Sequence, residues 1–256
     1  MTTRVLPIAR YTVLEAVRTR LPVATIATIL AVLALSFFVR ELALVQHARI
    51  QATVYAAVMR LAAVFIVALH VGSTLVREFD DKGLDAVLAL DIPRWQYIAG
   101  KYAGHAAIAL GVAALSAMPL LVLSPGGPAL AWLASLALET SIIAALAMFC
   151  VVTFSHLPSA MAFVAGFYVL CRGITGLRLI ADHPLAGGAT ALHHAMSQGL
   201  AAVSALVPPL DDWTRTAWLI GTPPTSGELA YIVAESAVYV VLLVAATLID
   251  FHRRSL

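Results

Sequence analysis

An all-helical membrane protein with six spans is the fold class this sequence predicts, and three observations predict it. Hydrophobic residues make up 61% of the 256 residues and charged ones only 12%, against about half and about a quarter in soluble domains. The apolar residues come in blocks of helix-spanning length, and lysines and arginines gather at the ends of blocks that would share one side. A chain with so little polar surface cannot cover itself in water, and lipid is the solvent that fits.

A span needs roughly 20 apolar residues, because a helix rises about 1.5 Å per residue and the hydrocarbon core is about 30 Å thick. Leu21 to Val39 is the first, without a charge. It is too long for the h-region of a signal peptide, and Ser36-Phe37-Phe38-Val39-Arg40 lacks a small-x-small cleavage site, so it reads as an uncleaved span. Val54 to Val76 is the second, interrupted only by Arg60 and His70 and followed by Arg77-Glu78-Phe79-Asp80-Asp81-Lys82. Tyr102 to Leu123 is the third. The tight turn Ser124-Pro125-Gly126-Gly127-Pro128 then leads into the fourth, Ala129 to Phe154, which contains Glu139. The fifth runs from Leu157 to Leu170, where Cys171 and Arg172 end it, and the sixth from Leu229 to Ile249, with Glu235 inside.

Short cytoplasmic loops hold an excess of Lys and Arg. With the N-terminus inside, Arg4, Arg10, Arg18, Arg20, Arg77, Lys82, Arg94, Lys101, Arg253 and Arg254 fall on that side, and both termini are expected to be cytoplasmic. The net charge of +2 hides this asymmetry. No basic patch with interleaved aromatics points to nucleic acid. Cys150 and Cys171 lie in or beside apolar spans and read as buried thiols packing as small hydrophobes.

Three stretches are not spans. In Val5 to Arg20 the residues Ile8, Tyr11, Leu14, Val17 and Leu21 recur at helical spacing, with Arg10, Glu15, Arg18 and Thr19 opposite. That is an amphipathic helix lying along the membrane interface before the break at Pro22. Arg77 to Lys101 is the most polar stretch and reads as two short helices divided at Asp91-Ile92-Pro93-Arg94, since proline suits a helix opening and not its interior. Gly173 to Gly227, placed outside by the topology, is cut up by Gly187-Gly188, Pro208-Pro209 and Pro223-Pro224 into short pieces, which a re-entrant cover would also suit; the short external helices expected before the last span are what the family resemblance described below implies. Trp213 and Trp218 there suit headgroup anchors, and a periplasmic partner is one use for the surface.

Ionisable groups inside spans must face protein, water or a partner charge. Arg60, Glu139 and Glu235 are those groups. Pairing of Arg60 with either glutamate would neutralise both charges, whether at a subunit interface, along a substrate path or as a fixed internal pair. His183, His193 and His194 have poor spacing for a metal or haem site on one helix, and His70, His105 and His156 read as interfacial residues. Ser155-His156 has no third catalytic partner, and no Gly-x-Ser-x-Gly or His-Glu-x-x-His occurs, which disfavours an intramembrane protease or hydrolase. No internal repeat of the secondary-transporter kind is present, and no Gly-x-x-x-x-Gly-Lys-Ser/Thr loop would cradle a nucleotide.

The ordered set Arg77-Glu78, Lys82-Gly83-Leu84-Asp85, Val87-Leu88-Ala89-Leu90, Pro93-Arg94 and Tyr97-Ile98-Ala99-Gly100-Lys101-Tyr102 resembles the loop after the second span of ABC-2 type transporter permeases. These are the membrane subunits of ATP-binding cassette exporters. The family pattern has Pro-x-x-Arg, from which this chain departs by placing Arg94 directly after Pro93. Ala9-Arg10 through Glu15-Ala16-Val17-Arg18 is similar to the family's connecting helix. The resemblance implies a single permease domain over 1–256 in a bacterial inner membrane. It implies a coupling helix that docks on a separate ATPase subunit through Arg77, Glu78, Gly83, Leu84, Asp85, Leu88, Pro93, Arg94 and Lys101, with Glu15 and Arg18 in support. ATP and Mg would then be bound by the partner, and the chain itself would be no enzyme. A second copy or a related permease would complete the path, and a lipid or amphiphile is the expected cargo.

Overall fold

A computed structural model of the chain describes residues 4–42, 47–81, 93–182, 198–204, 207–213, 216–219 and 224–253. Among them there is helix and no strand. Six helices are long and apolar enough to cross a membrane. A helix satisfies all its backbone hydrogen bonds within itself, which is what a lipid solvent requires.

Helix α1 (Val5–Arg18) ends where Thr19 turns extended, and α2 (Leu21–Leu42) follows with Pro22 in its first turn, where a missing N–H costs nothing. Helix α3 (His47–Asp80) is followed after the 82–92 stretch by α4 (Arg94–Leu123), which Pro93 opens with φ −58°. The sequence expectation of a separate short helix ahead of the third span is corrected here. Pro93 starts a single helix, and nothing from Arg94 to Tyr102 interrupts it.

Ser124 to Gly126 form the whole link from α4 to α5 (Gly127–Phe154), with Gly126 at φ +92°, a value that favours glycine. Helix α5 stops at Ser155, itself left-handed at φ 60°, and α6 (Leu157–Asp182) begins with Pro158 in its first turn. Cys171 and Arg172 do not end the fifth span as expected. Both side chains sit at least half out of solvent within a continuous helix, so the charge there is no boundary.

The described chain divides into two compact units. The first, Met1–Val164 with Thr216–Leu256, is built around α5, the most buried of the six long helices. Helices α3 and α4 and the last helix pack on it, α1 packs on α4, and α2 packs mainly on α3. Apolar area gains little between helices in lipid, so van der Waals fit has to hold such a bundle. The alanine-rich run Ile142 to Met148 of α5 is accordingly buried all round.

The second unit, Ala165–Arg215, contains the end of α6, helical backbone over 198–204 and the short α7 (Leu210–Trp213). Its Thr175 hydroxyl faces the Asp212 carboxylate at 3.5 Å. Trp213 is buried, which corrects its expected place as a headgroup anchor. A 3-10 turn, Thr216–Leu219, follows, and the last helix α8 (Ser226–Arg253) starts on a reciprocal cap. Thr225 N donates to Glu228 Oε2 at 2.8 Å, while Glu228 N donates to Thr225 Oγ1 at 3.4 Å.

Candidate functional site

Two clusters of polar side chains stand out from the apolar bundle. The first lies at the end formed by α1, the C-terminal turns of α3, the N-terminal turns of α4 and the C-terminal turns of α8. Gly100 and Gly104 of α4 let the α1 backbone come close. A Cβ at Gly100 would sit 2.8 Å from Ile8 Cβ and 3.0 Å from the Val5 carbonyl oxygen, and one at Gly104 would sit 2.6 Å from Thr12 Cβ. Such Gly-x-x-x-Gly contacts are how helices approach without a hydrophobic driving force.

The close approach decides which face of α1 is buried. Thr12 and Ala16 pack inward, whereas Tyr11, Leu14 and Val17 of the apolar stripe are exposed beside Arg10, Glu15 and Arg18. Ile8 and Thr12 present their Cβ atoms to the two glycines, so the side of α1 that carries them faces α4. Tyr11 and Leu14 line an open cavity of about 820 Å³ together with Glu15 and Arg18.

Across the same end, Lys101 Nζ meets Glu78 Oε2 at 2.5 Å and ties α4 to the end of α3. Gln96 accepts a hydrogen bond from Arg4 N at 3.2 Å. The Arg94 guanidinium donates to the carbonyl oxygens of Phe251 and His252, at 3.3 and 3.4 Å, and lies 5.8 Å from the Phe251 ring, which stacks on Tyr97. The structure therefore brings Glu78, Arg94 and Lys101 into packed positions flanking the 82–92 stretch. Arg77 and Pro93 are exposed at its two edges. Gly83, Leu84, Asp85 and Leu88 lie outside the described residues.

The second cluster is inside the bundle. Arg60 of α3 donates from Nη1 to Glu139 Oε2 of α5 at 2.6 Å and from Nη2 to Ser135 Oγ at 3.0 Å, with its charged carbon 5.2 Å from the Trp132 ring. The two side chains are 3% and 0% exposed. Of the two pairings the sequence allows, the structure forms the one with Glu139. Glu235 sits half-buried on α8, its Oε2 without a hydrogen-bond partner among the described residues.

His70 of α3 and His105 of α4 lie side by side. Both are buried, with rings 6.1 Å apart edge to face, and neither ring nitrogen of His105 has a hydrogen-bond partner among the described residues. His156 is exposed. His183, His193 and His194 lie outside the described residues. No group of three or more His, Cys, Asp or Glu that would hold a metal ion occurs among the described residues.

The chain matches no protein-family model and no curated protein. What the geometry offers chemically is mechanical. One end carries a charged, packed frame around a polar connection, and the interior carries a sealed ion pair.

Proposed function

We propose that this chain is the membrane-spanning permease subunit of an ABC-2 type exporter, working with a separate ATPase subunit and a second permease copy. The observation that supports it best is the frame around residues 82–92. Helix α1 is locked to the start of α4 through Gly100 and Gly104, Lys101 is bound to Glu78, and Arg94 is bound to the end of α8. A push on the 82–92 stretch would thus reach four helices at once, which is what a docking segment needs in order to move spans. The six long apolar helices supply the membrane part. Both termini on the cytoplasmic side fit the lysine and arginine distribution, a bacterial inner membrane is what the family resemblance implies, and an apolar cargo such as a lipid or amphiphile suits the apolar outer faces of α2 and α8.

The test is co-purification of the tagged full chain from mild detergent, with identification of what travels with it. A Walker-motif ATPase is expected, and Leu88→Glu is expected to lose it while the membrane part stays folded. Recovery of the chain without any ATPase, repeated under crosslinking in the membrane, would overturn the assignment.

A further inference from the structure

The second compact unit holds a cavity of about 340 Å³ between the last turns of α6, the helical backbone ending at Ser204, and α7. Clefts for small ligands run from about 300 to 1,000 Å³. Ile174 and Leu179 give it apolar wall, and Thr175, Arg178, Ser204 and Asp212 bring polar groups into the same lining. A few polar groups converging in such a cleft fix how a ligand lies in it.

Position along α6 says what reaches the cavity. The stretch Leu157–Leu179 is long and apolar enough to cross a bilayer. Arg178 lies 21 residues after Leu157, about 32 Å along the axis, against a hydrocarbon core about 30 Å thick. A span that begins at Leu157 therefore brings Arg178 and the cavity to headgroup level.

The charges in the lining select the headgroup. Arg178 is exposed, and its guanidinium has no ion-pair partner among the described residues. Its fork of N–H donors matches a phosphate. Asp212 is half-buried, its Oδ2 accepting from Thr175 Oγ1 at 3.5 Å, and a carboxylate can accept more hydrogen bonds than one. A plain anion in the cavity would meet the charge of Asp212, and a plain cation that of Arg178. A ligand with a phosphate at one end and a primary ammonium at the other is matched at both.

We propose that this cavity binds the phosphoethanolamine headgroup of one bilayer phospholipid, its phosphate on Arg178, its ammonium on Asp212 and the start of an acyl chain along Leu179. The site tells ethanolamine from choline, because a quaternary ammonium has no N–H to give a carboxylate. It tells ethanolamine from glycerol, which carries no positive charge. The proposal rests on α6 crossing a bilayer and not on the chain being a transporter subunit.

The test uses the full chain purified in mild detergent, with native mass spectrometry and titration by phosphatidylethanolamine, phosphatidylcholine and phosphatidylglycerol of the same acyl chains. One phosphatidylethanolamine per chain is expected, preferred over phosphatidylcholine by about tenfold, as one hydrogen bond between charged groups implies. Asp212→Asn is expected to remove that preference. Arg178→Gln, at an exposed side chain, is expected to weaken all three lipids about tenfold with unchanged melting. Equal binding of phosphatidylethanolamine and phosphatidylcholine by the unaltered chain would overturn the proposal, as would undiminished binding in Arg178→Gln or a preference that survives Asp212→Asn. Displacement of the lipid by an equal concentration of free phosphoethanolamine would assign the cavity to a soluble ligand and overturn the lipid as its source.

Discussion

Replacing Glu139 by leucine leaves the buried guanidinium of Arg60 with only Ser135 and the face of Trp132. Arginine cannot shed its proton, so the charge stays. Removing one partner of a buried pair costs about 3–5 kcal/mol, and for a chain of this size about 2–4 °C is lost per kcal/mol, a fall of roughly 6–20 °C in melting temperature. Arg60→Met is expected to be milder, because it removes the charge that cannot be neutralised, at a cost of about 1–3 kcal/mol. Ser135 loses nothing essential, since its hydroxyl also donates to the Trp132 carbonyl oxygen at 2.9 Å. The double variant Arg60→Met with Glu139→Leu is expected within about 1 kcal/mol of the unaltered chain, as apolar replacements of buried pairs commonly are. The assay is the monodisperse fraction on gel filtration in detergent after stepwise heating. An Arg60→Met protein melting at or below Glu139→Leu, or a double variant no better than Glu139→Leu, would refute the argument.

Gly104→Leu is expected to push α1 off α4 at a cost of about 1–3 kcal/mol, seen as new protease cleavage within Val5–Arg18, while Gly166→Ala, with open space around its added Cβ, leaves the digest unchanged. Arg94→Ala releases two carbonyl oxygens at the end of α8 and is expected to speed hydrogen exchange over residues 248–253, with less than a twofold change at the start of α8 if the contact is as local as about 1 kcal/mol implies. Single cysteines introduced as Asp81→Cys and Arg253→Cys are expected to react with a membrane-impermeant maleimide from one face of the membrane, and Gly126→Cys from the opposite face. Labelling of all three from the same face would remove the six-span topology.

The number of long apolar helices and the tight turn at Ser124 to Gly126 were legible in the sequence, because block length and a Pro-Gly-Gly-Pro cluster are local signals. Which side of a helix faces protein was not. Periodicity in α1 marks a stripe of Tyr11, Leu14 and Val17, but the face that meets protein is set by glycines about ninety residues away on α4. The same limit hid His105, whose neighbours in sequence say nothing of the His70 ring beside it. Arg172 misled in another way, since a charge was read as a span end where the helix simply carries a half-buried arginine. In the candidate site, Glu78 and Lys101 were marked singly, whereas their contact depends on how α3 and α4 return to one another. Ser135 and Trp132, which complete the Arg60 environment, carry no signal by themselves.

The three-residue link between α4 and α5 bears on how the chain is made. With only three residues to hold them apart, α4 and α5 are expected to enter the bilayer together as a hairpin. That hairpin carries Glu139, which is synthesised 79 residues after Arg60. At about 5–20 residues per second the arginine waits roughly 4–16 s for its counter-ion. During that interval α3 holds a permanent charge that lipid resists, so α3 is expected to stay beside the insertion machinery until the hairpin arrives. Biogenesis would then have a built-in checkpoint, with the second long helix to emerge released by the fourth.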